Sequence, residues 1–282
     1  MHKYHNGNAM FVKEVRIVVS DLDKSIDFYT NIIGLSVIRK EGREAHLGVD
    51  SENVLLVLKE VKYAKKAQHN IGLYHFALLL EKRSSFAHIL KHLADKQYPL
   101  TGLSDHGISE AIYLQDPDNN GIEIAVDRYD KNGNVYKLNA LGPKRVDIDD
   151  LMDQLPKEEF EKLPESTIMG HLHLHVNNID EAKKFFVDGL GFEIQFDYFG
   201  RALFVSSKGY HHHIAFNIWN GEGAKRRDDN QAGLESYVIS VPREELKKIK
   251  DRLSELGYDT TKDGDNLIVF DVNQDKVILE AK

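Results

Sequence analysis

Glu123 stands in Asn120-Gly-Ile-Glu-Ile-Ala-Val, with apolar residues on both sides. A carboxylate there is unfavourable to bury unless it is paired or holds a metal ion. It ends the run His106-Gly-Ile-Ser-Glu-Ala-Ile-Tyr113-Leu-Gln-Asp116-Pro117-Asp-Asn-Asn-Gly-Ile-Glu123. Asp-Pro-Asp-Asn-Asn-Gly reads as a turn joining two strands, so Tyr113 and Glu123 can face one cavity. A hairpin with a core tyrosine and a strand-edge salt bridge is the plainer reading of the same residues. Histidines are the other candidates. The chain has 14, among them His75 in Gly72-Leu-Tyr-His-Phe, the alternating His171-Leu-His-Leu-His, and Tyr210-His-His-His-Ile. Along a strand His171, His173 and His175 share one face, while His211 and His213 would share a side that His212 does not. With no cysteine, thiolate sites, disulfides and cysteine nucleophiles are excluded.

The elements that must position these groups come in repeats. Glu14-Val-Arg-Ile-Val-Val-Ser-Asp-Leu-Asp aligns without a gap with His171-Leu-His-Leu-His-Val-Asn-Asn-Ile-Asp, and Val19, Asp23, Phe28 and Gly34 fall on Val176, Asp180, Phe185 and Gly191. Each copy opens as a strand, continues as an amphipathic helix and reaches a helix-ending glycine. A second kind of unit follows each, with helices expected at 84–96 and 243–256. Four modules result, at about 11–60, 70–128, 168–218 and 233–281, each one strand, one helix and about three strands. The segment 131–167 is acidic and contains proline, and reads as a linker with one or two short helices. In chain order this gives a first two-module domain at 1–130 and a second at 168–282.

Four βαβββ modules with strand-Ser-Asp-Leu-helix-Gly-Leu openings resemble the vicinal oxygen chelate superfamily of glyoxalases, bleomycin-resistance proteins and extradiol dioxygenases. The resemblance covers nearly the whole chain outside the linker. It implies an α+β fold in which paired modules form two open-sided mixed-sheet barrels. It also implies metal ligands at the start of a module's first strand and on its last strand. Module one offers Glu14 and Leu56 there, module two His75 and Glu123, module three His171 and His213, and module four Ser236 and Ile278. The implied metal set is His75, Glu123 and His171, with His213 as a fourth ligand or an acid–base group. If modules pair in chain order, His75 and His171 lie in separate barrels. To share an ion, modules two and three must pair within the chain or across a homodimer, leaving modules one and four as a metal-free barrel.

The run from His106 to Glu123 is similar to the signature of extradiol ring-cleaving dioxygenases, in the two-domain catechol 2,3-dioxygenase-like branch. Ser104 and Asn119 depart from it, but Asn tolerates the left-handed backbone of a turn. The resemblance implies one divalent metal, with Fe(II) first and Mn, Ni, Co or Zn as alternatives. It further implies a catechol or hydroquinone-like aromatic substrate, O₂ as co-substrate, and catalytic roles for His213, His106 and Tyr113. A glyoxalase-like isomerase or lyase on the same metal set is a second reading. A metal-free binding protein for a small aromatic molecule is a third.

The 282 residues carry a formal net charge of −8, which disfavours a broad nucleic-acid face. The N-terminal stretch has no long apolar run, so neither a signal peptide nor a membrane span is expected, and a cytoplasmic location is the default.

Overall fold

The computed structural model describes residues 3–138 and 142–282. Module one comprises β1 (Phe11–Val19), α1 (Leu22–Phe28), β2 (Ser36–Glu41), β3 (Glu44–Gly48) and β4 (Val54–Glu60). Module two has β5 (Gly72–Leu80), α2 (Arg83–Asp95), β6 (Leu100–Asp105), β7 (Ser109–Gln115) and β8 (Gly121–Asp127). After a short helix α3 (Ile148–Met152), module three runs β9 (Ile168–His175), α4 (Ile179–Lys183), β10 (Glu193–Asp197), β11 (Ala202–Ser206) and β12 (Ile214–Asn217). Module four is β13 (Gly233–Val241), α5 (Arg243–Glu255), β14 (Thr261–Asp263), β15 (Asn266–Phe270) and β16 (Lys276–Ala281). The expected module bounds and the two long helices agree with these elements to within a few residues.

The repeat extends to details of the backbone. Asp21 and Asn178, equivalent in the repeat, cap α1 and α4 by accepting from the backbone N–H groups of Lys24 and Glu181. Both helices then widen into a π-helical turn, Tyr29–Ile33 and Lys184–Gly189. Gly34 and Gly191 follow, each with φ of 89°. A left-handed backbone there suits glycine, which has no Cβ to clash.

Two eight-stranded mixed sheets result, in the orders β14-β15-β16-β13-β1-β4-β3-β2 and β10-β11-β12-β9-β5-β8-β7-β6. Module one is therefore joined to module four, and module two to module three. In each sheet the first strands of the two modules meet as a central antiparallel pair, β1 with β13 and β5 with β9. The chain-order division into 1–130 and 168–282 does not coincide with these sheets, because each half supplies one module to each. The pairing is achieved within one chain and needs no second copy. Among the described residues neither sheet closes through its edges, which matches the open-sided expectation.

The segment 131–167 is more than a spacer. Val146, Leu151 and Leu163 are buried in the main core, and the Leu163 N–H donates to the Gly34 carbonyl. Of the one or two short helices expected in this linker, α3 is present, while 156–160 is irregular. There Phe160 packs its ring on His92, 4.3 Å between centroids.

Candidate metal centre

The central pair β5/β9 sets the site. On β9 the apolar Leu172 and Leu174 turn to the core, so alternation puts His171, His173 and His175 on the opposite face. Register then lines up one rung across four strands: Tyr113 pairs with Glu123, Glu123 with Ala77, and Ala77 with His171. His75 lies two residues before Ala77 and shares its face. The small Ala77 separates Glu123 from His171 on this rung, where a longer side chain would fill the space between them. Gly121 lets β8 approach β5, since a Cβ there would fall 1.9 Å from the Tyr74 carbonyl oxygen. The preceding turn is held by Asp116, whose Oδ1 accepts from the N–H groups of Asp118 and Asn120. Asn119 takes the left-handed conformation expected of it, with φ of 68°.

On this scaffold three ligand-type atoms converge. His75 Nε2 lies 3.0 Å and His171 Nε2 lies 3.3 Å from Glu123 Oε2, and the two Nε2 atoms are 3.3 Å apart. All three side chains are buried, and among the described residues this is the cluster whose donor atoms could hold one ion. Donors bound about 2.1 Å from a single ion sit about 3.0–3.4 Å apart in neighbouring octahedral or tetrahedral positions. The observed triangle has those dimensions, so the residues fit a divalent metal. Two imidazoles and one carboxylate on one side of an ion also leave positions open. Burial alone would raise the Glu123 carboxyl, but the facing His171 and His75 rings hold it well below the usual carboxylate range. Burial lowers His75, despite its hydrogen bond to Glu123, which favours the neutral, metal-binding ring.

The triad opens onto a cavity of about 240 Å³ whose walls include Tyr74, His106, Tyr113, Phe204, His212 and Trp219. A dry cavity of about 150 Å³ holds benzene, so this one has room for a single substituted ring. A second, wider cleft of about 650 Å³ shares Tyr74, His75, Tyr113 and Trp219 with it and runs outward. Tyr74 and Trp219 meet edge-on, 5.4 Å between centroids, where the two spaces join.

His106 and Tyr113 both line the inner cavity, with His106 Nε2 2.9 Å from the Tyr113 hydroxyl. Burial, and then the charge of Glu123, push the Tyr113 phenol far above its ordinary range. Both effects favour the protonated phenol. Burial lowers His106.

His213 does not reach this cavity, which corrects the expectation of a fourth ligand or acid–base group there. Its Nδ1 accepts from the Ser207 N–H at 3.2 Å, and its Nε2 lies 3.0 Å from the Tyr4 carbonyl. The physical reason is local. β12 begins at Ile214, so residues 211–213 precede the strand and do not alternate as strand residues. His212 takes the wall position instead, with its ring 4.2 Å from that of His171. Sequence reasoning had set it on the opposite side, and it also passed over Trp219, the chain's single tryptophan. An aromatic just past a module's last strand was the available signal. His173 and His175 are tied to Asn217, by a bond of 2.9 Å to its Nδ2 and one of 2.8 Å to its Oδ1.

Comparison with known proteins agrees with this architecture. Residues 12–124 match the Glyoxalase/Bleomycin resistance protein/Dioxygenase superfamily. The chain is 41% identical over 253 residues to a catechol-2,3-dioxygenase of Bacillus subtilis (strain 168), covering 86% of this chain and 87% of that one. It is 29% identical over 123 residues to a probable lactoylglutathione lyase of Synechocystis, covering 41% of this chain and 94% of that protein. Among solved structures, a putative dioxygenase from Bacillus subtilis superposes with a TM-score of 0.64 at 12% identity, over 97% of this chain and 86% of its own. Glyoxalase I from Zea mays gives 0.59 at 16%, over 96% and 92%. The two structures share the fold, and the Bacillus relative carries the kinship along most of the chain. Repeats, sheet order and sequence identity together place this chain in the glyoxalase/bleomycin resistance/dioxygenase superfamily, as a homologue of bacterial catechol-2,3-dioxygenase.

Proposed function

We propose that this protein is a metal-dependent extradiol ring-cleaving dioxygenase acting on a catechol or hydroquinone-like aromatic. The observation that carries the reading is the convergence of His75, His171 and Glu123 on one point at the edge of a ring-sized cavity. The kinship with a catechol-2,3-dioxygenase supports it. His75, Glu123 and His171 hold the ion, for which Fe(II) is the first candidate. When bound, such an ion supplies open positions for the substrate oxygens and O₂ and favours loss of substrate protons.

The chain's own groups do the rest. Tyr74, Phe204 and Trp219 flank the ring and exclude water from the inner cavity. Tyr113 keeps its proton and donates a hydrogen bond to a substrate oxygen, stabilising charge as it develops there. His106, bonded to Tyr113, fixes that hydroxyl. His212 replaces His213 as the group that moves a proton at the cavity wall.

A glyoxalase-like isomerase is the second reading, favoured by the likeness to a lactoylglutathione lyase. Its four-residue ligand set would have included His213, whose two ring nitrogens are taken by backbone groups. The test loads the protein with Fe(II) without air, then adds catechol, substituted catechols or hydroquinones in air. Ring cleavage consumes one O₂ per substrate and yields a yellow ring-opened product. No oxygen uptake with any of these substrates would overturn the dioxygenase reading.

A further inference from the structure

Behind the cavity wall lies a chain of buried groups. Asp127 is the last residue of β8, on the same face as Glu123 four residues earlier. Its Oδ1 lies 2.9 Å from His211 Nε2. His211 Nδ1 lies 2.8 Å from His212 Nδ1. Asp127 and His211 are each 2% exposed at the side chain. Asp127 Oδ2 accepts from the Tyr210 hydroxyl at 2.9 Å and from the Tyr129 hydroxyl at 3.3 Å. Burial would raise this carboxyl, but His211 and Tyr210 hold it below the ordinary range.

These contacts leave little freedom in where the hydrogens sit. The ionised Asp127 is an acceptor only. His211 must therefore donate from Nε2, and a neutral His211 ring then presents a lone pair at Nδ1. With His211 neutral, the hydrogen in the contact between the two rings comes from His212 Nδ1. A neutral His212 protonated there carries its lone pair on Nε2, the nitrogen left for the cavity.

We propose that Asp127 and His211 are positioning residues that lock His212 in the tautomer whose Nε2 lone pair serves the cavity. This rests on the dioxygenase reading for its purpose but not for its geometry. A buried ion pair with a doubly protonated His211 would instead donate from Nδ1 and leave His212 with its hydrogen on Nε2, the opposite tautomer. The same third-residue logic orients the base of hydrolytic triads.

Asp127→Asn separates the two roles. The hydroxyls of Tyr210 and Tyr129 both donate to Oδ2, so the amide oxygen of Asn stays on their side and its NH₂ faces His211. His211 Nε2 must then accept, its Nδ1 must donate, and His212 must carry its hydrogen on Nε2. Ring-¹⁵N histidine correlation spectra of the intact, zinc-loaded chain read this directly, with the His212 signals assigned through His212→Gln. The expected result is Nδ1–H on His212 in the native chain and Nε2–H in Asp127→Asn. With Fe(II), kcat of Asp127→Asn should fall by about 100-fold, with KM changed by no more than roughly threefold. Nε2–H on His212 in the native chain overturns the proposal, as does an unchanged tautomer or an unchanged kcat in Asp127→Asn. Absence of ring cleavage by the native chain would instead strike the dioxygenase reading and leave the tautomer assignment standing.

Discussion

His75 Nε2 and His171 Nε2 lie 3.3 Å apart, although 96 residues separate them in the chain. They meet because β5 and β9, the first strands of modules two and three, form the central antiparallel pair of one sheet. Each half of the chain therefore holds only part of the site. Fragments 1–130 and 168–282, made separately, should bind no stoichiometric metal and should self-associate through their unpaired β1, β5, β9 and β13 edges. Co-expressed, they should recover a one-to-one complex that binds one ion. Size-exclusion chromatography with metal analysis reads both, and a lone fragment binding one ion as a monomer would contradict the pairing.

Ala77 occupies the rung between Glu123 and His171. Ala77→Leu should fill the space into which both side chains reach. Metal affinity should fall by at least about 100-fold, the upper range for disturbing the support of a metal site. Overpacking should cost about 1–3 kcal/mol in stability. Isothermal titration with a divalent ion and denaturant unfolding check the two parts, and undiminished affinity would show that this rung does not bound the site.

Burial and the nearby Glu123 charge both oppose ionisation of Tyr113. Tyr113→Phe should lower kcat by about 100-fold, the effect of losing one oriented donor. KM should change little, and the kcat profile should show no new titration between pH 7 and 9. Steady-state kinetics across that range decides it, and an unchanged kcat would remove Tyr113 from the reaction.

His175 and His213 give the fold an acid weakness. Burial holds His175 down to about 4, despite its bond to Asn217, and holds His213 well below its ordinary range. The unfolded chain takes up protons near pH 6.5, whereas the folded chain resists them. Their stability is therefore complete above about pH 6.5 and is lost as pH falls toward each folded value, for His175 about 4. Each such group contributes a slope of about 1.4 kcal/mol per pH unit in its window. Thermal unfolding between pH 7.5 and 4.5 should show the midpoint falling, less steeply in His213→Gln. A flat midpoint would mean that these rings titrate alike in the folded and the unfolded chain.

Much of this architecture was legible in the sequence because repeats expose themselves by register. The matched Gly34 and Gly191 marked helix ends, and the uneven distribution of ligand-type residues singled out modules two and three. The turn before Glu123 was readable because Asp, Pro, Asn and Gly each restrict the backbone in a known way. What could not be read was the partner of each module, since β1 could meet β5 or β13 with equal local propensity. His212 and His213 were exchanged for a related reason. Alternation applies only inside a strand, and nothing in Tyr210-His-His-His-Ile marks the strand as beginning at Ile214.

His75, Glu123 and His171 are proposed to hold one ion between them. Elemental analysis of protein purified and reconstituted without air, with His75→Ala, Glu123→Ala and His171→Ala measured in parallel, tests it most directly. About one divalent ion per native chain is expected, with near-complete loss in each variant and the ion retained in His213→Gln. Full metal occupancy in the three alanine variants would contradict it.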